Sequence, residues 1–296
     1  MSNINRENKD RLFRFIFGRE DNKAWALDLY NAINGTSYTN PEDITITTID
    51  DALYMRMKND ISILVRDVMN FWEQQSTFNP NEPIRFLIYA GMVYSGLFKS
   101  HTNTINIYSS KIQKLPVPKC VCFYNGTQEQ PDETTLYLSS AFPEGSDPDI
   151  SVKVRMLNIN YGHNQVLLNS CRPLHDYAFL VDRIRYHQSK GFDIDEAVDK
   201  AIKDLADDSV IKPFIIKNKA EVKRMCITEY DEVRTMDLFK KEAFEEGLDK
   251  GRDEGRDEGK IETLANLANK KLITIEQAAS EAGMTVDEFL QKMTLL

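Results

Sequence analysis

No stretch of this chain approaches the roughly 20 consecutive apolar residues that a membrane-spanning helix needs, and no pair of its cysteines falls in a CxxC spacing. Cys120, Cys122, Cys171 and Cys226 form no disulfide framework and read as reduced, mostly buried thiols. The polar opening MSNINRENKDR has no apolar core of a signal peptide, and with the reduced thiols it predicts a cytoplasmic protein. The four histidines, His101, His163, His175 and His187, lack metal-ligand spacing, which argues against zinc. An excess of positive charge is also missing. Against 46 Asp and Glu stand 37 Lys and Arg, a net charge of −9, so the chain is no non-specific coat for nucleic acid. Its basic residues do cluster, at Arg6, Lys9, Arg11, Arg14, Arg19 and Lys23 and again at Lys212, Lys217, Lys219, Lys223 and Arg224. A locally basic cleft on an acidic body and a scattered, solvated surface both fit that distribution.

What is present is an ordinary globular composition, with 42% hydrophobic and 28% charged residues over 296 positions, enough to bury a substantial core. Residues 7–17 predict a short helix stopped by Gly18, and 22–33 a second helix capped by Asn34-Gly35. DITITTID, DISILV and MNFWEQQST read as strands. Asn79-Pro80-Asn81-Glu82-Pro83 then breaks the chain before a helical periodicity at Ile84, Leu87, Ile88, Met92 and Phe98. VPKCVCFYNG, TTLYL and DISVKVRMLNI predict further strands. After about residue 173 the pattern turns helical, through Leu174, Tyr177, Ala178, Val181 and Ile184, then Ala197, Val198, Ala201, Ile202 and Leu205. The expected organisation is an α/β core over 1–172 and a helical region packed on it over 173–235. A charged, glycine-repeating helix or linker over 236–263 follows, then a small two-helix unit over 264–296. In the last, Thr274 with Gln277 and Thr285 with Glu288 fit capping boxes.

The segment NDISILVRDVMNFWEQQS bears the chemistry. Folded as an antiparallel hairpin about Arg66-Asp67, it pairs Val65 with Val68, Ile63 with Asn70, Ile61 with Trp72 and Asp60 with Glu73. Opposed residues share a face with Cβ atoms about 5 Å apart, and Gln75, two residues on, projects from the same face. Two carboxylates held together call for a cation. Hard oxygen donors of this kind suit Mg2+ or Mn2+, which can activate water and neutralise charge on a phosphodiester. A pair of exposed acids at a strand end is the plain alternative on spacing alone.

A series of motifs in order extends the pattern over about residues 8 to 262. They are Asp10-x-x-Phe13-Arg14-x-x-Phe17, Asn59-Asp60, Glu73-x-Gln75-Ser76, Arg85 with Tyr89, Leu115-Pro116, Phe123-Tyr124-Asn125-Gly126, Asn158-Ile159-Asn160-Tyr161-Gly162-His163-Asn164, and the repeated acidic Glu-Gly-Arg tail. Together they resemble the PD-(D/E)XK nuclease superfamily, and within it the recombination-promoting nuclease/putative transposase family. That resemblance implies a central mixed sheet flanked by helices, Mg2+-dependent hydrolysis of DNA, and a bacterial role in recombination, mobile elements or phage defence. It also implies catalytic roles for Asp60, Glu73, Gln75 and Asp10, with Asp60 and Glu73 on the metal. Gln75 stands where the superfamily places lysine, as is common in this family. Arg14, Arg85, Lys217 and Lys219 are candidate DNA contacts. Two other functions remain open: a non-catalytic nucleic-acid-binding or assembly protein on the same fold, and a nuclease acting on RNA.

Elsewhere plainer expectations hold. His163 reads as a hydrogen-bonded loop residue, and Cys120 and Cys122 as alternate residues on one core face of a strand. Phe71, Trp72 and Phe78 are expected to pack against the first helix. Gly247, Gly251, Gly255 and Gly259 make a narrow helical stripe. It reads either as a dimerisation element, giving a homodimer through 244–262, or as a solvated linker. The terminal helices around Gly283-Met284-Thr285 lack side chains for reading bases and read as a packing cap.

Overall fold

The computed structural model describes residues 12–47, 61–99 and 108–293. The chain up to Asp231 forms one compact unit and Glu232–Leu296 a second.

In the first unit, α1 (Leu12–Phe17) and α2 (Lys23–Asn34) are followed by β1 (Ile44–Thr47), β2 (Ile61–Val65) and β3 (Val68–Gln75). α2 stops where Gly35 takes φ +64 and its N–H reaches the carbonyl of Asn31, a conformation that favours glycine. The Asn31 side chain then holds the turn toward the sheet, bonding both N and O of Tyr38. α3 (Glu82–Lys99) crosses over to β4 (Val117–Tyr124), and β5 (Glu133–Tyr137) and β6 (Lys153–Asn158) follow. The helical half comprises α4 (Gln165–Ser170), α5 (Arg172–Ser189), α6 (Ile194–Asp204), α7 (Lys212–Lys217) and the beginning of α8 (Lys219–Asn269).

The six strands form one open mixed sheet in the order β1-β2-β3-β4-β6-β5. β1, β2 and β3 are antiparallel neighbours, β3, β4 and β6 run parallel, and β5 closes the far edge antiparallel to β6. The expected α/β class with a mixed sheet between helices is therefore present.

Both faces are covered, which explains why β3 is buried from Met69 to Gln75 without alternation. On one face Ile61, Ile63, Trp72, Val121, Phe123 and Leu157 pack with α1, α2, α5, α6 and the first turns of α8. On the other, Met69, Phe71, Cys122, Tyr124, Val154 and Met156 pack with Phe86 and Tyr89 of α3. Trp72 thus lies on the face of α1 as expected, but Phe71 and Phe78 belong to the opposite layer, with α3. The reason is the period of the strand: residues 71 and 72 must point to opposite faces. Cys120 and Cys122 share the α3 face, as expected.

In the second unit, the end of α8 joins α9 (Ile275–Ala282) and α10 (Val286–Met293). Ile261 and Ala265 of α8 share a small core with Ala278, Ala279 and Phe289, so three helices build it where the sequence suggested two. Both expected capping boxes are formed, Thr274 with Gln277 and Thr285 with Glu288. Phe289 is fully buried, in keeping with a packing cap. α8 runs unbroken through the glycine repeat, and nothing lies within 4 Å of where a Cβ would stand on Gly247, Gly251, Gly255 or Gly259.

Candidate active site

The hairpin has the register its sequence predicts, with Ile61 opposite Trp72, Ile63 opposite Asn70 and Val65 opposite Val68. Its two-residue turn places Arg66 at φ +52, the sign that tight hairpin turns need at their first central residue. Asp60 and Asp10, two of the expected acids, lie outside the described residues. Glu73 and Gln75 are both placed on the α3 side of β3, and both are buried, at 1% and 5% exposure.

Arg85 comes to meet them. α3 begins immediately after the Asn-Pro-Asn break, with Glu82 in its first turn. Arg85 follows three residues later, on the same side of the helix. Its Nη2 donates to Glu73 Oε1 and, at 2.9 Å, to the Tyr89 hydroxyl. Its Nη1 donates to Glu82 Oε1 at 2.6 Å and its Nε to the Tyr89 hydroxyl at 3.1 Å. The side chains of Glu73 and Glu82 are 2% and 0% exposed, that of Arg85 27%. Burial works against the guanidinium charge, but the two carboxylates outweigh it and raise the Arg85 pKa further above its ordinary range. Burial, reinforced by the charge of Glu73, likewise raises the Tyr89 hydroxyl. Gln75 donates its amide N–H to Cys122 Sγ, and burial, with the charge of Glu82, keeps that thiol well above its ordinary pKa.

Glu73 therefore faces one cation already, the Arg85 guanidinium. Its partner Glu82 was not among the expected site residues. The available signals were an acid in a helix first turn and an acid–arginine spacing of three, and both are common on solvated helices. Among the described residues two carboxylates and one guanidinium meet here, a formal charge of −1, and hard oxygen donors of this kind fit Mg2+. Among the described residues no three His, Cys, Asp or Glu side chains come together as a metal-holding group.

A second polar network extends from the opposite side of β3 at the carboxyl ends of the parallel strands, where open α/β sheets place their ligands. Gln74 Nε2 donates to Asn125 Oδ1 at 2.6 Å, and Asn125 Nδ2 to the Tyr177 hydroxyl at 3.0 Å. Arg185 of α5 donates to the Asn125 carbonyl and to Asn160 Oδ1. Asn125, Asn160, Tyr161, Asp182 and Arg185 line a small cleft here. His163, on the neighbouring loop, pairs with Asp132 at 2.9 Å, the hydrogen-bonded loop role expected of it. The contacts to Tyr177 and Arg185 join residues 52 and 60 positions apart, beyond the reach of any local pattern.

The candidate DNA contacts sit on four different helices, α1, α3, α7 and α8. Arg85 is engaged by Glu73 and Glu82, Arg14 is half-buried on α1, and Lys217 is exposed at the end of α7. Lys219 pairs with Asp199 of α6 at 2.8 Å, and Lys212 with Asp207 at 2.9 Å. Lys223 binds both Asp195 and Asp199. Much of the basic segment from 212 to 224 is therefore matched by α6 and the loop after it. No helix among the described residues is long and apolar enough to cross a membrane. Comparison with family models, with curated proteins and with solved structures yields no match to this chain.

Proposed function

We propose that the chain is a metal-dependent nuclease of the PD-(D/E)XK type that hydrolyses phosphodiester bonds in DNA. The observation that carries this reading is the pairing of Glu73 with Gln75 on one face of a central parallel strand, at its carboxyl end, within a cluster of buried charge. In this reading Asp60 and Glu73 hold Mg2+, or Mn2+ in its place, and Asp10 adds a further acid. The ion would supply an activated water and neutralise charge on the phosphodiester. Glu73 is held in one orientation by the Arg85 fork, which fixes where its carboxylate points. The Gln75 carboxamide, anchored through its N–H on Cys122, offers its oxygen to orient water. Burial by α3 excludes bulk water and strengthens each of these interactions.

The test is nicking of supercoiled plasmid in Mg2+, Mn2+ or EDTA, alongside Asp60→Ala and Glu73→Ala. Cleavage should require metal and fall by at least about 100-fold in each variant, the scale of one lost electrostatic stabiliser. Equal cleavage by wild type and Asp60→Ala would overturn the site. One observation favours a second reading, a nucleic-acid-binding or assembly protein that keeps the fold without turnover: Glu73 is 1% exposed and already bears a guanidinium. That reading expects duplex binding with no cleavage in any metal. Running the assay on a matched RNA decides between the two nucleic acids. A role in recombination, mobile elements or phage defence follows from the same reading.

A further inference from the structure

We propose that Arg85 supplies the positive charge against the scissile phosphate that residue 75 cannot supply; this rests on the nuclease reading of the same site. A phosphodiester gains negative charge on its way to hydrolysis, and a fixed cation facing that charge stabilises it. Gln75 is neutral, 5% exposed, and donates an amide N–H to Cys122 Sγ. Glu73 and Glu82 are acids at 2% and 0% side-chain exposure. Among the described residues Arg85 is the cationic member of this cluster, and at 27% it is also the most open of its three charged side chains.

Its orientation is set from three sides. Of the five guanidinium N–H bonds, Nε–H and both on Nη2 go to Tyr89 and Glu73, and one on Nη1 goes to Glu82. One Nη1 hydrogen remains, and the side chain as a whole is 27% exposed. A guanidinium clamped in this way keeps its plane, and such a donor suits a phosphate oxygen better than a flexible ammonium does. The Tyr89 hydroxyl, whose pKa burial raises, stays protonated and adds no competing charge. Arg85 therefore has two tasks: it positions Glu73 and it presents charge to the substrate.

The experiment uses the full chain and a fluorescein-labelled DNA duplex in Ca2+, with affinity measured against salt concentration, together with plasmid nicking in Mg2+. Each phosphate contact adds about one unit to the slope of log K against log salt. Arg85→Gln should reduce that slope by about one and lower kcat for nicking at least about 100-fold, with a smaller effect on KM. Arg85→Lys should retain the slope. Gln75→Lys added to Arg85→Gln should return the lost slope and part of the rate, which a purely structural arginine would not permit. Should Arg85→Gln fail to fold, Glu82→Gln with Arg85→Gln keeps the buried charge at −1 and takes its place. An unchanged slope in the charge-removing variant overturns the proposal, even if wild type cuts. A reduced slope with no cleavage by wild type upholds the phosphate contact and overturns the nuclease reading. Absence of duplex binding by wild type overturns both.

Discussion

Asp176 is only 3% exposed, and everything around its carboxylate is arranged to hold it. Arg172 Nε reaches Oδ1 at 3.0 Å, while Ser209 Oγ and the Val210 N–H each reach Oδ2 at 2.8 Å. Removing the carboxylate strands a buried hydroxyl and a backbone N–H whose bonds it satisfied. Asp176→Ala should therefore cost about 3 kcal/mol, the scale of breaking a buried ionic network, read as a lowered midpoint in urea denaturation. Gly126 is constrained by space instead of charge. A Cβ at that position would stand 2.1 Å from the Ser76 carbonyl oxygen and 2.5 Å from the Tyr124 hydroxyl, because the ends of β3 and β4 close on each other there. Gly126→Ala should destabilise by about 1–3 kcal/mol, as overpacking does. It should also disturb Asn125, so that amide exchange at the carboxyl ends of β3 and β4 speeds up. A variant as stable as wild type would contradict the packing described.

Between elements, the charges on α5 and α6 make stability depend on pH. Burial alone would raise the Asp204 pKa, but hydrogen bonds from His187 at 2.7 Å and Arg183 at 3.1 Å outweigh it and hold the carboxyl below its ordinary value. Asp199 is lowered in the same sense, where Lys219 and Lys223 outweigh burial. A carboxyl whose folded pKa lies below its unfolded pKa stabilises the fold at every pH above the unfolded value, about 3.9 for aspartate. That contribution is lost as pH falls through the folded value. Thermal stability should therefore begin to fall below about pH 4 from these groups. Asp204→Asn should melt at lower temperature at pH 6 yet show a shallower acid limb, measured by circular dichroism from pH 7 to pH 2.5. In the second unit, Thr274 accepts from the Gln277 N–H while Gln277 accepts from the Thr274 N–H. Thr274→Ala should cost that unit about 1 kcal/mol, seen as faster amide exchange confined to 261–293.

For the whole molecule, the glycine stripe of α8 bears on assembly. Phe244 is 71% and Leu248 52% exposed, and with Gly247, Gly251, Gly255 and Gly259 they share one side of a helix with 3.6 residues per turn. Each interior glycine costs up to about 1 kcal/mol in helix propensity, so pairing with a second copy along this side would offset a local weakness. Light scattering separates the two readings of the stripe: a full chain of twice the mass per particle, with a monomeric chain ending near Thr235, would assign it to pairing. Equal mass per particle for the two would leave the stripe as a solvated helix.

Much of the molecule is determined locally, and so was legible in the amino-acid sequence. Period-2 runs and the tight Arg66-Asp67 turn set the β2–β3 register residue for residue, because a slip of one would take Ile61, Ile63 and Val65 out of the layer they fill. Proline breaks, glycine stops and capping pairs located the helices for the same reason: each acts within about four residues. Glu73 and Gln75 follow from that register alone. The tertiary structure decided what surrounds them. It brought Arg85 and Glu82 from α3 onto Glu73, sent Phe71 to the layer opposite Trp72, and joined Gln74 to Asn125, Tyr177 and Arg185. It also matched much of a basic segment with the acids of α6 and the loop after it. These outcomes depend on which helix covers which face of the sheet, and burial of the whole apolar surface selects that; no short-range pattern encodes it.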